Sequence, residues 1–230
     1  MITISAFKWV PPFAQGLVRD LRVRWALEEA GLPYRAKLID GADQASESYR
    51  AMQPFGQVPV LQEDGLILFE SGAIVIHIAE RSEALMPPDA AGRSQAISHV
   101  FAALNSVEPF IQQLVVLDLF HAKEEWAKLR RPSAEAELRG RLDKLQHWLG
   151  DGDFLSGRFT VGDLMMIAVL RILRHTDILN DYPQLKVYKE RGEARPAFQK
   201  ALADQLAPFA SNAPSAKPIE AQELDKDDAA

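Results

Sequence analysis

A chain of 230 residues, 47% hydrophobic and 25% charged, is long enough for one large domain or two small ones around a buried core. Its formal net charge of -6 argues against general nucleic-acid binding, which gathers Lys and Arg on one face. It has no cysteine, which excludes disulfides, thiolate metal sites and any mechanism using a protein thiol. No basic-then-apolar leader follows Met1, and apolar runs such as Leu164 to Leu170 are too short to span a bilayer. A cytoplasmic protein with no membrane partner is expected.

ITISAF, Ile2 to Phe7, alternates at period two and predicts a strand. The loop FKWVPPFAQG follows, with two adjacent prolines and no hydroxyl, thiol or imidazole. Gly16 to Ala30 is predicted helical, stopped by Gly31 and Pro33. Tyr34 to Ile39 is a second strand, parallel to the first if the helix is their crossover. Gly41 to Met52 reads as a connector with a short helix. Val58 to Gln62 and Leu66 to Phe69 are strand-like, and Asp64-Gly65 between them signals a hairpin. A helix over Gly72 to Arg81, opened by Ser71, completes β-α-β-α-β-β-α within residues 1–82.

Residues 83–92 read as a linker, and residues 93–210 as an all-α domain. Its helices are expected over Arg93 to Lys128 with a kink at Pro109, Ser133 to Leu149 with Ser133 as N-cap, and Val161 to His175. Shorter ones are expected near Gln184 to Arg191 and Ala197 to Ala207. Residues 211–230, rich in Ala, Pro, Ser, Asp and Lys, have no periodicity and predict a mobile tail.

Two short stretches carry chemistry. In Gln57-Val58-Pro59-Val60 a proline stands near a strand start, where it cannot donate to the ladder. With a cis Val58-Pro59 bond the main chain of Val58 would be free to grip an extended peptide. An ordinary trans edge proline is the commoner alternative. Glu70-Ser71 opens a helix, where a hydroxyl and free amides suit a carboxylate and the acid suits an ammonium. Together they fit an α-amino acid; the plainer alternative is an N-cap beside a solvated acid.

The element order and the segments QPFGQVPVL and FESGAIVIHIAE resemble the thioredoxin-like N-terminal domain of glutathione S-transferases. Pro54, Gly56, Val58, Pro59 and Leu61 match that family's Pro-x-Gly-x-Val-Pro-x-Leu, with Gln53 where Asn is common. ALEEAGLPY resembles the end of its first helix. FLSGRFTVGDLMMIAVL resembles the buried helix of its all-helical C-terminal domain, where Thr160 and Asp163 have capping-box spacing. YPQLKVYKERGEARPAFQKAL resembles that domain's closing helices, so the likeness covers roughly residues 1–207.

The resemblance implies glutathione as cosubstrate, no metal, a small hydrophobic electrophile and a homodimer. It implies that the main chain of Val58, beside Pro59, holds the cysteinyl part, that Glu70 and Ser71 hold the γ-glutamyl end, and that Gln57 reaches the glycyl side. His77 is expected in core or dimer packing, and Trp126 and Trp148 in the core. The five histidines share no spacing that would bind a metal.

A free thiol ionises near pH 8.5, about, so an enzyme must favour the thiolate. In the family a Tyr, Ser or Cys near the first helix does so. Here all four tyrosines lie beyond that helix and Ser5 is inside the first strand. Gln15, Arg19 and the bare amides of the helix start are the remaining candidates, though Arg19 also suits simple pairing with an acid. Trp9 and Phe13 are candidates for the electrophile wall. The alternative function is a glutathione-binding or regulatory protein with little or no catalysis.

Overall fold

A computed structural model describes residues 1–214; from residue 215 the expected tail lies outside the described residues. A four-stranded sheet has the order β2-β1-β3-β4. β1 (Ile2–Phe7) and β2 (Tyr34–Ile39) are parallel, with Ile2 opposite Tyr34 and Phe7 opposite Ile39. Parallel neighbours need a crossover, and α1 (Asp20–Ala30) supplies it. α2 (Gly41–Ala45) and α3 (Glu47–Met52) lead to β3 (Leu61–Glu63), which is antiparallel to β1 and to β4 (Leu66–Leu68). Asp64 and Gly65 turn that hairpin with φ of 48° and 86°, the signs a two-residue primed turn requires. α4 (Ser71–Ala79) follows.

α1 begins later than its apolar pattern predicts. Residues 14–22 are closed by i to i+3 bonds such as Leu17 N–H to Ala14 O at 3.0 Å. Gly16 interrupts any helix there, because its φ is +76°, and a Cβ would stand 3.2 Å from Leu202 Cδ1. β3 is shorter than expected for a related reason. Val60 N–H is taken by Ser5 Oγ at 2.8 Å, a side chain where a strand would offer a carbonyl.

The remaining described helices are α5 (Ala90–Phe101), α6 (Glu108–Val115), α7 (Glu125–Leu149), α8 (Val161–Leu170), α9 (Pro183–Glu193) and α10 (Pro196–Ser211). Wider π-type turns at Ala102–Val107 and Val116–Phe120 flank α6. Pro109 has no N–H for the Asn105 carbonyl, and the ladder shifts register ahead of it. Ala90–Phe120 has the length and hydropathy of a bilayer-crossing helix. Here its stripe of Val100, Ala103, Val107, Ile111 and Leu114 is buried in the protein core.

Ser133 does not cap a helix. α7 runs through the exposed Pro132, and Ser133 Oγ donates to Arg130 O at 2.9 Å. The carbonyl that Pro132 leaves unpaired belongs to exposed Lys128, where water can satisfy it. The expected helix over Val161 to His175 is α8 tightened into a 3-10 turn at Arg171–His175.

Every residue of α8 is buried. Its first turn is closed by Thr160 Oγ1, which accepts Gly162 N–H at 3.2 Å, and by Asp163. The Asp163 carboxylate accepts from Leu155 N–H, Thr160 N–H and Thr160 Oγ1 at 2.9 Å each, and from Tyr188 OH at 3.0 Å. α1 packs against α4, α8 and α10, and Trp25 lies fully buried between Phe159 and Phe198. Trp126 and Trp148 are not core residues: they are 49% and 42% exposed.

Candidate functional site

Two adjoining cavities open beside α1. The larger, about 800 Å³, is bordered by Gln57, Glu70, Ser71, Arg19, Arg22 and Glu108, among others. Glu70, with φ +67°, is one of two described non-glycine residues at positive φ. Such backbone costs about 1–3 kcal/mol and collects at ligand clamps. Its carbonyl accepts the first helical bond, from Ile74 N–H at 3.0 Å. The amides of Ser71, Gly72 and Ala73 therefore have no acceptor among the described residues and give the helix start its positive end. α4 sits tightly here, since a Cβ on Gly72 would come within 2.6 Å of Leu104 Cδ1.

Behind Ser71 lies a charge cluster. Ser71 Oγ accepts from Arg22 Nη1 at 3.4 Å. The same guanidinium forks onto Glu108 at 3.1 and 2.9 Å, and Arg19 Nη2 reaches that carboxylate at 2.9 Å. Arg22 and Glu108 are almost fully buried, while the Arg19 side chain is 42% exposed. Burial opposes ionisation of Glu108, but Arg22 and Arg19 outweigh it and hold the carboxyl below its ordinary range. Two cations against one carboxylate leave the cluster positive.

The segment before β3 is held by side chains. Tyr49 OH donates to Gln57 O at 2.7 Å and shares a hydrogen bond of 2.9 Å with Ser5 Oγ. The Val58-Pro59 bond is cis. Neither main-chain group of Val58 has a partner among the described residues.

The smaller cavity, about 420 Å³, has apolar walls that include Phe13, Leu17, Leu119, Phe120 and Ile172. Phe13 and Phe120 meet edge to face at 5.8 Å. Arg19, Arg22, Glu108 and Gln112 border both cavities and so form their junction. The opening loop is fastened from the helical side: Arg171 Nη1 donates to Gly16 O, and Arg174 Nη2 to Phe13 O and Gln15 O, each at 2.7 Å. A third groove, about 1030 Å³, is lined by mutually satisfied ion pairs such as Arg131–Asp118 and Arg139–Asp181. None of the predicted site residues borders it.

Residues 15–80 match the family model for the glutathione S-transferase N-terminal domain, and residues 110–205 match that for its C-terminal domain. The chain belongs to the glutathione S-transferase family. It is 32% identical over 168 residues to glutathione S-transferase F13 of Arabidopsis thaliana, covering 66% of this chain and 75% of the relative. It is 29% identical over 205 residues to a probable maleylacetoacetate isomerase 2 of Drosophila melanogaster, covering 78% and 81%. A glutathione transferase of Burkholderia graminis, solved with two glutathione molecules bound per subunit, superposes with a TM-score of 0.76 at 27% identity, covering 88% of this chain and 87% of that one.

Within this glutathione S-transferase fold, Gln57, Glu70 and Ser71 converge on the larger cavity, whereas Val58 and Pro59 are buried and do not border it. Arg19 stands at the junction and Phe13 on the smaller cavity. Gln15 borders neither cavity, and its amide Nε2 donates to Val10 O at 3.0 Å. Trp9 is half-buried and also borders neither. His77 lines the larger cavity, half-buried. Thr160 and Asp163 form the capping box of α8. Among the described residues no three His, Cys, Asp or Glu gather as a metal site.

Sequence reasoning missed Arg22, Glu108, Tyr49 and Arg174. Arg22 follows Arg19 at i+3 and so shares its helix face, the one signal available. Glu108 stands 86 residues further on, in a stretch that reads as plain helix.

Proposed function

We propose that the protein binds glutathione in the larger cavity and adds its thiolate to a small hydrophobic electrophile in the smaller one. The carrying observation is the strained Glu70 with Ser71 at the open start of α4, in a cavity that joins an apolar one across Arg19. The γ-glutamyl carboxylate would take the free α4 amides and Ser71 Oγ, and its ammonium Glu70. Val58 does not line the larger cavity, but its main-chain N–H and C=O have no partner among the described residues and would pair with the cysteinyl main chain as a strand does, and Gln57 would face the glycyl end. That arrangement runs the thiol toward the Arg19–Arg22–Glu108 cluster, whose surplus positive charge favours thiolate over thiol. Sulfur then bonds to the electrophilic carbon. The displaced electron pair leaves with a departing group, or is protonated by solvent after addition to a double bond.

In this reading residues 1–82 carry the glutathione site and residues 93–210 most of the electrophile wall. A cytoplasmic homodimer with two-fold symmetry belongs to the same proposal. Isothermal titration with glutathione tests it. Binding is expected at about micromolar to millimolar Kd, weakened about tenfold or more by Glu70→Ala with Ser71→Ala. No heat at saturating glutathione overturns the site.

One observation favours a second reading, glutathione binding without turnover. Among the described residues no Tyr, Ser, Thr or Cys borders the smaller cavity, and Ser71 is the one such residue on the larger. Conjugation rates over a panel of electrophiles, read against pH, separate the two. If Arg19 favours the thiolate, Arg19→Met moves the rising limb of the pH–rate profile to higher pH.

A further inference from the structure

The smaller cavity carries more positive charge than its apolar walls call for. Three arginines border it, Arg19, Arg22 and Arg174, against one carboxylate, Glu108. Arg19 and Arg22 already take Glu108. Arg174 has no carboxylate partner among the described residues. Its Nη2 is occupied by the Phe13 and Gln15 carbonyls, while Nε and Nη1 have no acceptor. Arg174 is exposed overall, with its guanidinium partly covered by the opening loop; that partial burial and the neighbouring Arg171 guanidinium push its pKa down from the usual arginine range. Water can solvate an exposed arginine, so what counts is its place: Arg174 is fixed by two loop carbonyls on the wall of an otherwise apolar cavity, with donors left over.

We propose that the smaller cavity admits an apolar electrophile carrying a carboxylate, which Arg174 holds. The proposal rests on the larger cavity being the glutathione site. Arg174 borders the smaller cavity and not the larger, whereas Arg19, Arg22, Glu108 and Gln112 border both. The carboxylate is therefore held away from the junction, and the reactive carbon points toward the thiol. Phe13, Leu17, Leu119 and Phe120 enclose the apolar body between them. At about 420 Å³ the space suits a single ring or a short unsaturated chain with a small anion. Arg174 is a specificity determinant here, since it does not reach the reacting atoms.

Two glutathione conjugates that fill both cavities provide the test. S-(4-carboxybenzyl)glutathione and its uncharged isostere S-(4-carbamoylbenzyl)glutathione are titrated calorimetrically beside glutathione itself. The carboxylated conjugate is expected to bind about tenfold tighter, the size of one charge-assisted hydrogen bond. Arg174→Met should bring the ratio of the two affinities to about one, and Arg174→Lys should keep most of it. Loss of the loop fastening would shift both conjugates together, so the ratio reports the charge and not the fold. Equal affinities for the wild-type protein while glutathione binds, or a preference that survives Arg174→Met, would overturn the proposal and leave the glutathione site standing. If neither glutathione nor either conjugate binds, the glutathione reading itself fails and this proposal with it.

Discussion

At the scale of single residues, Glu108 links the two cavities by countering two arginines. Its carboxylate is 5% exposed and takes three of their N–H groups. Removing one partner of a buried pair costs about 3–5 kcal/mol, because the charge left behind has neither water nor counter-ion. Glu108→Gln should therefore lower the unfolding free energy from urea titration by about 3–5 kcal/mol at neutral pH. The pH dependence has a definite sign. A carboxyl held below its ordinary range stabilises the fold fully above that range, about pH 4.3. It loses that contribution as the pH falls through the lower folded value. The gap between wild type and Glu108→Gln should close below about pH 4; a gap that stays constant there would show that the ion pair does not carry it. Residues whose chemistry is local, such as Gln57, Glu70 and Ser71, were legible in sequence as a bend and a helix start. Arg22 and Glu108 were not, because their meaning lies in a pairing across 86 positions.

At the scale of elements, the two capping residues of α8 should differ in effect. Thr160→Ala removes one acceptor and should cost about 1–2 kcal/mol. Asp163→Ala strands the N–H groups of Leu155 and Thr160 and the hydroxyls of Thr160 and Tyr188, and should cost about 3 kcal/mol or more. Chemical denaturation followed by circular dichroism ranks the two, and the reverse order would refute this account of the cap. Pro132 is the opposite case. It sits exposed inside α7 with no N–H to give, so Pro132→Ala should stabilise by about 1–3 kcal/mol; an unchanged or lower midpoint would contradict that. Periodicity located the long apolar helices, since their stripes survive into the fold, but the polar stretch expected to hold one short helix holds α2 and α3, and the helix expected over Arg93 to Lys128 ends at Phe120 before α7 begins at Glu125. It misjudged ends wherever a distant group decides them. α1 yields its first turn to Gly16, whose carbonyl is held by Arg171 and whose space is limited by Leu202. The sequence around Pro132 reads as a break, but the chain carries its helix through because the lost bond faces water.

At the scale of the molecule, α1 belongs to both halves. It is the crossover of the sheet, and it also packs on α8 and α10. Arg195 at the start of α10 forks onto Glu29 at 2.5 and 2.8 Å. Gln205 reaches Asp20 Oδ1 at 2.6 Å and Val18 O at 3.1 Å, and Val161 N–H bonds back to Leu85 O at 2.9 Å. Trp25 is 0% exposed, between aromatic rings from the helical part. No local pattern foretells that the last described helix closes on the first, so the sequence reads as two separable domains joined by a linker. The packing instead predicts one cooperative unit. A variant with Trp9, Trp126 and Trp148 replaced by Phe keeps Trp25 as a fluorescent reporter of α1. The three replaced rings are only partly buried, so the fold should tolerate the changes. Circular dichroism reports chiefly the helical part, which holds six of the ten α-helices described. The two signals should share one denaturant midpoint, and Arg195→Ala should lower it for both without separating them. A Trp25 transition that precedes loss of helix would mean that the sheet and its crossover unfold alone, and that the contacts of α10 with α1 do not couple the halves.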